Sequence, residues 1–233
     1  MNFTCEQNAS RVIFGAGKLS VLAAEVALLG FRNPVIISTP GHRDLAVRAQ
    51  QLIGTGASIF DGAIMHVPTG SISAALAHVE QHGNDGCVCI GGSTTVGLAK
   101  AVALETGLKI IAVPTTYAGS EMTPIWGITR DGVKLTGRDN KVQPRTVIYD
   151  PELTLTLPPQ ISGASGINAM AHSVEALYAE NRNPVISLLC EASISALAAS
   201  LPVIVQSPRD MAARTQALYG SWLAGIALGA VGM

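Results

Sequence analysis

Apolar positions in the first two-thirds of the chain follow two rhythms. Short unbroken runs, PVIIS at 34–38, GCVCI at 86–90 and KIIAV at 109–113, have the length and β-branched content of buried strands. Between them, RDLAVRAQQLIG at 43–54, SISAALAHVEQHG at 71–83 and TTVGLAKAVALETG at 94–107 place apolar residues at helical spacing. Thr69 or Ser71 is the expected N-cap of the second helix, and Gly107 ends the third. ASIF at 57–60 and IMHV at 64–67 read as β-like runs around a turn at Asp61-Gly62. Alternating strands and helices imply βαβ units and a parallel sheet.

Two segments break the alternation. In WGITRDGVKLTG, at 126–137, Asp131-Gly132 between β-like runs predicts a hairpin. In TVIYDPELTLTLPP, at 146–159, a strand leads to a connector closed by Pro158-Pro159. Beyond Pro159 only helical patterns remain, and Asn183-Pro184 and Ser207-Pro208 each read as an N-cap followed by proline at the first helical position. The expected architecture is α/β: a doubly wound, mostly parallel Rossmann-like sheet domain over 1–158, then an all-helical domain over 159–233. The last run, SWLAGIALGAVGM, has no C-cap and no polar tail, so the helical domain reads as truncated at its C-terminus.

Composition narrows the function classes. The chain has 233 residues, of which 48% are hydrophobic and 13% charged, enough for a sizeable core and against disorder. The net charge of −1 and the lack of a basic cluster speak against nucleic acid as a partner. The polar start, with Glu6, is no signal peptide, and the apolar stretch 222–233 falls short of the roughly 20 residues that span a bilayer. No membrane partner is expected. Of four cysteines, Cys87 and Cys89 share one side of a strand and read as buried thiols, and Cys5 and Cys190 stand alone. A reducing, cytoplasmic location fits.

Three places carry candidate chemistry. Gly91, Gly92, Ser93, Thr94 and Thr95 join a strand to a helix, where backbone N–H groups and the helix dipole attract a diphosphate. The pattern is not G-x-G-x-x-G, and taken alone it reads better as a tight strand-to-helix turn. Thr115, Thr116 and Ser120 lie in a hydroxyl-rich loop after the strand KIIAV, able to hold ribose, phosphate or amide groups or to be a polar surface loop. Together the two loops suggest a cofactor crevice at the carboxyl ends of neighbouring strands. Asn168 and His172 share one helix face; as a metal site the pair is poor, and none of His42, His66, His78 and His82 has zinc-site spacing.

GGSTTVGLAKA, PTTYAGSEMTPIWG, VIYDPELTLTLP and SGINAMAHSVEALYA occur in an order that resembles the iron-containing alcohol dehydrogenases, in the form of their maleylacetate reductase branch. The resemblance covers essentially the whole chain, and members of that family are longer. It implies NADH- or NADPH-dependent reduction of the maleylacetate double bond to 3-oxoadipate in aromatic and chloroaromatic catabolism, with a small dicarboxylate substrate and a homodimer. It implies that Gly91, Gly92, Ser93 and Thr94 hold the diphosphate, and that Thr115, Thr116 and Ser120 line the nicotinamide and ribose side. It further implies that Ser38, Thr39 and Pro40 lie near the adenosine end, and that Lys134 approaches the nicotinamide. His172, Asn168 and Lys134 are the implied catalytic groups. Ser93 replaces the third glycine of the family's run. Asn168 replaces a ligand aspartate, so no metal is expected. Two alternatives stay open: a metal-dependent alcohol or glycerol dehydrogenase of the same superfamily, or an inactive nucleotide-binding fragment.

Overall fold

The computed structural model describes residues 10–54 and 56–232; Cys5, the rest of the N-terminal segment Met1–Ala9, and Met233 lie outside the described residues. Grouped by contacts, the chain forms two compact units that interleave along the sequence. One comprises Ser10–Pro114 and Pro124–Tyr149. The other holds Thr115–Thr123 and residues 150–232.

The first unit is built on a six-stranded sheet: β1 (Arg11–Phe14), β2 (Pro34–Ile37), β3 (Ser58–Phe60), β4 (Gly86–Gly91), β5 (Ile110–Pro114) and β8 (Thr146–Tyr149). Their order is β1-β8-β5-β4-β2-β3, and every pairing is parallel. Strands β2, β4, β5 and β8 are buried along their whole length, as expected of a parallel sheet covered on both faces. Helices α1 (Leu22–Leu28), α2 (Arg43–Ile53), α3 (Thr69–His82) and α4 (Ser93–Thr106) supply the cover. From β2 the chain steps outward to β3, and from β4 it steps the other way to β5, so strand order reverses between β2 and β4. The β-like run RVIF, which forms β1 at the edge beside β8, has no counterpart in the sequence expectations.

The hairpin forms as expected: β6 (Ile125–Arg130) pairs antiparallel with β7 (Val133–Arg138), and Asp131 and Gly132 both take positive φ, 51° and 75°. Two local expectations fail. Residues 64–67 form no strand; His66 and Val67 sit at positive φ, and Pro68 makes a single bridge to Thr129. Neither Thr69 nor Ser71 caps α3, whose N-cap is Pro68; the Ser71 hydroxyl donates instead to the Gly62 carbonyl at 2.7 Å. Cys87 and Cys89 are fully buried as expected, and burial, with the neighbouring Cys89, pushes the Cys87 thiol well up.

The second unit is helical: α5 (Pro159–Tyr178), α6 (Pro184–Gln206) and α7 (Met211–Ala230) pack on one another. Small residues let them approach closely. A Cβ on Gly220 would come within 2.8 Å of the Leu197 side chain. The Ser173 hydroxyl donates to Ser193 Oγ at 2.9 Å, and Ser193 donates to the Gly220 carbonyl at 2.8 Å, so one buried chain of hydroxyls ties all three helices. Among the described helices α6 alone is long and apolar enough to cross a membrane by length and composition. Burial, then the neighbouring Glu191, pushes the Cys190 thiol up to about 11.

Asn183 caps α6 as its sequence predicts, accepting from the Val185 and Ile186 amides at 3.1 Å, with Pro184 at the first position. The cap expected at Ser207 is instead Asp210, three residues later, whose carboxylate accepts from Ala213 N at 2.9 Å. Ser207 ends α6, and the Pro208 carbonyl is taken by Arg214. Asp210→Ala should therefore lower stability by about 1 kcal/mol, the usual worth of an N-cap. Ser207→Ala should change it by less than about 0.5 kcal/mol. Urea unfolding of both variants decides, and the reverse ranking would contradict the observed cap.

Candidate functional site

In the α/β unit the candidate residues gather at the carboxyl ends of β2 and β4, where strand order reverses. That is where ligands of open parallel sheets bind. Ile37 of β2 is level with Cys89 of β4, so the segments that follow both strands leave the sheet at one edge. After β4, Gly91 turns the chain at φ 144°, where a Cβ would lie 2.8 Å from Thr95 Oγ1. Gly92 is the N-cap of α4. Its carbonyl accepts from the Thr95 and Val96 amides and from the Thr95 hydroxyl, at 2.8 Å in the last case. Thr95 thus folds inward, fully buried, and the turn leaves the Ser93 and Thr94 amides as the open donors of the helix N-terminus. Ser93, in the place of a glycine, points an exposed side chain outward.

After β2, the Ser38 backbone is tied to the next strand: its N–H donates to Phe60 O and its carbonyl accepts from Ala63 N. Its hydroxyl is buried and has no hydrogen-bond partner among the described residues. Thr39 Oγ1 lies 3.0 Å from His42 Nδ1, and burial lowers the His42 pKa below its ordinary value. Pro40 is exposed at the start of a short 3-10 turn that precedes α2. Arg43 and Asp61 form an ion pair on the same rim. Lys134 is exposed on β7, opposite Thr129. The hairpin that carries it is held to α4 by Lys100, a buried residue that sequence reasoning missed, whose ammonium donates to Ile125 O at 2.7 Å.

Thr115, Thr116 and Ser120 belong to the helical unit, although they follow β5 in sequence. Thr115 is buried; Thr116 and Ser120 are half-buried. The loop is seated on α7 by a close backbone approach: Gly119 has φ 79°, and a Cβ on Gly225 would lie 2.5 Å from its carbonyl oxygen. On α5, Asn168 and His172 meet as their spacing predicts, with the Asn168 amide 3.1 Å from His172 Nε2. His172 Nδ1 is buried without a hydrogen bond and lies 3.7 Å from a Glu175 carboxylate oxygen.

The structure therefore brings Ser38–Pro40 and Gly91–Thr94 to one sheet edge, and Asn168 to His172. Lys134 belongs to the α/β unit, whereas Asn168, His172 and the Thr115–Thr123 loop belong to the helical one. Sequence reasoning also missed Tyr117 and Arg214. The available signal was an arginine inside an otherwise apolar helix.

Residues 9–151 match the family of iron-containing alcohol dehydrogenases, and residues 162–233 match the C-terminal part of the Fe-containing alcohol dehydrogenase family. The chain is 53% identical to maleylacetate reductase 2 of Cupriavidus pinatubonensis over 96% of its own length and 62% of that relative's. It is 50% identical to a maleylacetate reductase of a Pseudomonas species, over its whole length and 66% of the relative's. The chain thus spans less than two-thirds of the length of these relatives. The solved maleylacetate reductase of Agrobacterium tumefaciens superimposes with a TM-score of 0.97 at 44% identity, covering all of this chain and 67% of that one.

These matches correct the expectation that no metal is used: both matching families are described as iron-containing. Replacing aspartate with Asn168 removes a charge but keeps an oxygen donor on the same helix face, and an amide carbonyl is an accepted ligand for a hard cation. Asn168 and His172 lie one turn apart on α5 and, by the chemistry of an amide oxygen and an imidazole nitrogen on one helix face, fit as part of a donor set, although here the amide nitrogen is 3.1 Å from His172 Nε2. No group of three His, Cys, Asp or Glu that could complete it exists among the described residues. With two family matches that together cover nearly the whole sequence, the chain belongs to the iron-containing alcohol dehydrogenase family.

Proposed function

We propose that the protein uses NADH or NADPH to reduce the carbon–carbon double bond of maleylacetate, giving 3-oxoadipate. The observation that carries the nucleotide part is the open N-terminus of α4, with Gly91 and Gly92 before it, at the point where strand order reverses. Two backbone amides and the positive end of a 14-residue helix face the space where a diphosphate would sit. Ser38, Thr39 and Pro40 line the adenosine end, and the orphaned Ser38 hydroxyl is a hydrogen-bonding group that a bound nucleotide would satisfy. Thr115, Thr116 and Ser120 take the nicotinamide and its ribose. Support for the substrate comes from the names of the maleylacetate reductases that the chain resembles.

A bound dihydronicotinamide would supply hydride to one carbon of the double bond, with the electron pair of that bond moving towards the conjugated carbonyl. Negative charge builds there, and a proton then reaches the other carbon. His172, which Asn168 orients through their 3.1 Å contact, and Lys134 of the other unit are the candidate groups to stabilise this charge by hydrogen bonding. Iron, when bound, supplies a Lewis acid, and Asn168 and His172 are the residues of this chain that would hold it. A second reading follows from the same family: oxidation of an alcohol, the activity after which a 40% identical iron-containing alcohol dehydrogenase of Corynebacterium glutamicum is named. We further propose a functional division near Pro158, a homodimer and a cytoplasmic location, the last supported by the buried thiols.

Steady-state assays with NADH and NADPH should show consumption of maleylacetate well above that of propanediol, glycerol or ethanol in the oxidative direction. Alcohol turnover without maleylacetate turnover would overturn the substrate reading. Gly92→Val should weaken NADH binding at least about tenfold, because the branched side chain occupies space a phosphate needs. Gly92 has φ −91°, which valine tolerates, so the variant should fold. Unchanged affinity by fluorescence titration would make the turn merely structural. Elemental analysis after loading with Fe(II) should find less iron per chain in His172→Ala than in the parent; equal iron would remove His172 from the donor set.

A further inference from the structure

Arg214 on α7 is completely buried, yet it donates to two backbone carbonyls and two hydroxyls and to no carboxylate. Nε donates to Pro208 O at 2.9 Å and Nη2 to Leu157 O at 2.9 Å. Nη1 donates to Ser162 Oγ at 2.7 Å and to the Tyr117 hydroxyl at 3.1 Å. Taking a guanidinium out of water is costly, and an apolar side chain would pack three helices at less cost. What the arginine offers instead is a planar fork that fixes several segments in one geometry.

The fork converges on the Thr115–Thr123 loop. Tyr117 is fully buried and gripped at both ends: Arg214 donates to its phenol oxygen, and its backbone N–H donates to Ser165 Oγ at 3.4 Å. Ser165 in turn donates to Ser162 O at 3.4 Å, and the Ser162 hydroxyl is the other acceptor of the same Arg214 nitrogen. A closed ring of hydrogen bonds thus runs from Arg214 through Ser162 and Ser165 to Tyr117 and back. Ser165, Asn168 and His172 are spaced three and four apart, so they share one face of α5. The ring therefore sets the register between the loop bearing Thr115, Thr116 and Ser120 and the helix face bearing Asn168 and His172.

We infer that Arg214 and Tyr117 are positioning residues that hold the nicotinamide-side loop in register with the Asn168–His172 pair. The inference rests on the nucleotide reading of that loop. The two residues touch neither nucleotide nor substrate and act through the loop backbone.

The experiment compares the dissociation constants of NADH and ADP for the protein and for Tyr117→Phe and Arg214→Lys, with melting temperatures alongside. ADP lacks the nicotinamide half and reports the diphosphate and adenosine end alone. Tyr117→Phe keeps the ring in its place and deletes only the acceptor oxygen. It should weaken NADH binding about tenfold, the size expected for losing a hydrogen bond to a charged group, with ADP affinity within about twofold. Arg214→Lys, which keeps the charge and loses the fork, should act in the same direction. The double variant should be no worse than Arg214→Lys, since both changes cut one link. Folded variants that keep the parent's full preference for NADH would overturn the inference alone. Losses of NADH and ADP affinity that fall together with the melting temperature would also overturn it, as a purely structural effect. A parent protein that binds ADP as tightly as NADH would remove the loop's nicotinamide role, and the inference with it.

Discussion

Burial of β4 in the middle of a parallel sheet is the constraint on which the α/β unit depends. All six of its residues are buried, so its backbone must be answered on both sides, by β2 and by β5. The strand can leave the sheet only at its carboxyl end, and α4 must return at once to cover the face it exposes. Gly91 makes that reversal in one residue. The short turn then leaves the first amides of α4 open at the sheet edge. A cost of the topology, unsatisfied donors at a helix start, thereby falls at the strand end where the proposed nucleotide site lies.

The helical unit solves a different problem. Its helices are rich in small residues, which permit close approach but give little shape to fix one register. Specificity comes from buried polar links that tolerate only one arrangement: the Ser173–Ser193–Gly220 chain and the Arg214 fork. Each ties segments far apart in sequence, and each is fully satisfied by a single geometry. The Gly119–Gly225 approach adds a steric fixture at the loop that follows β5.

Much of this was legible in the sequence. The apolar runs at 34–38, 86–90 and 109–113 had only one plausible fate, because β-branched runs of that length bury as strands. Gly107 and Asn183 ended and began helices where local hydrogen bonding said they should. The Asp131-Gly132 hairpin and the Asn168–His172 pairing also follow from spacing over four residues or fewer. The two helix caps that failed were positions where two local solutions competed. Ser71 could cap α3 or reach the Gly62 carbonyl, and the longer-range bond won. Ser207 could cap α7, but Arg214 claimed the Pro208 carbonyl and Asp210 took the cap.

The sequence by itself therefore determined the elements, the Gly-rich turn, the helix face of Asn168 and His172, and, through its motif order, the family. Those properties depend on periodicity and on hydrogen bonds between near neighbours. Tertiary structure alone decided the strand order that puts Ser38 beside the β4 turn, the membership of Thr115–Thr123 in the helical unit, and the partners of Arg214. Each of these depends on pairing between residues tens of positions apart, such as the 97 that separate Tyr117 from Arg214. No local pattern specifies which distant segments will meet, because that choice is made by the joint packing of the core.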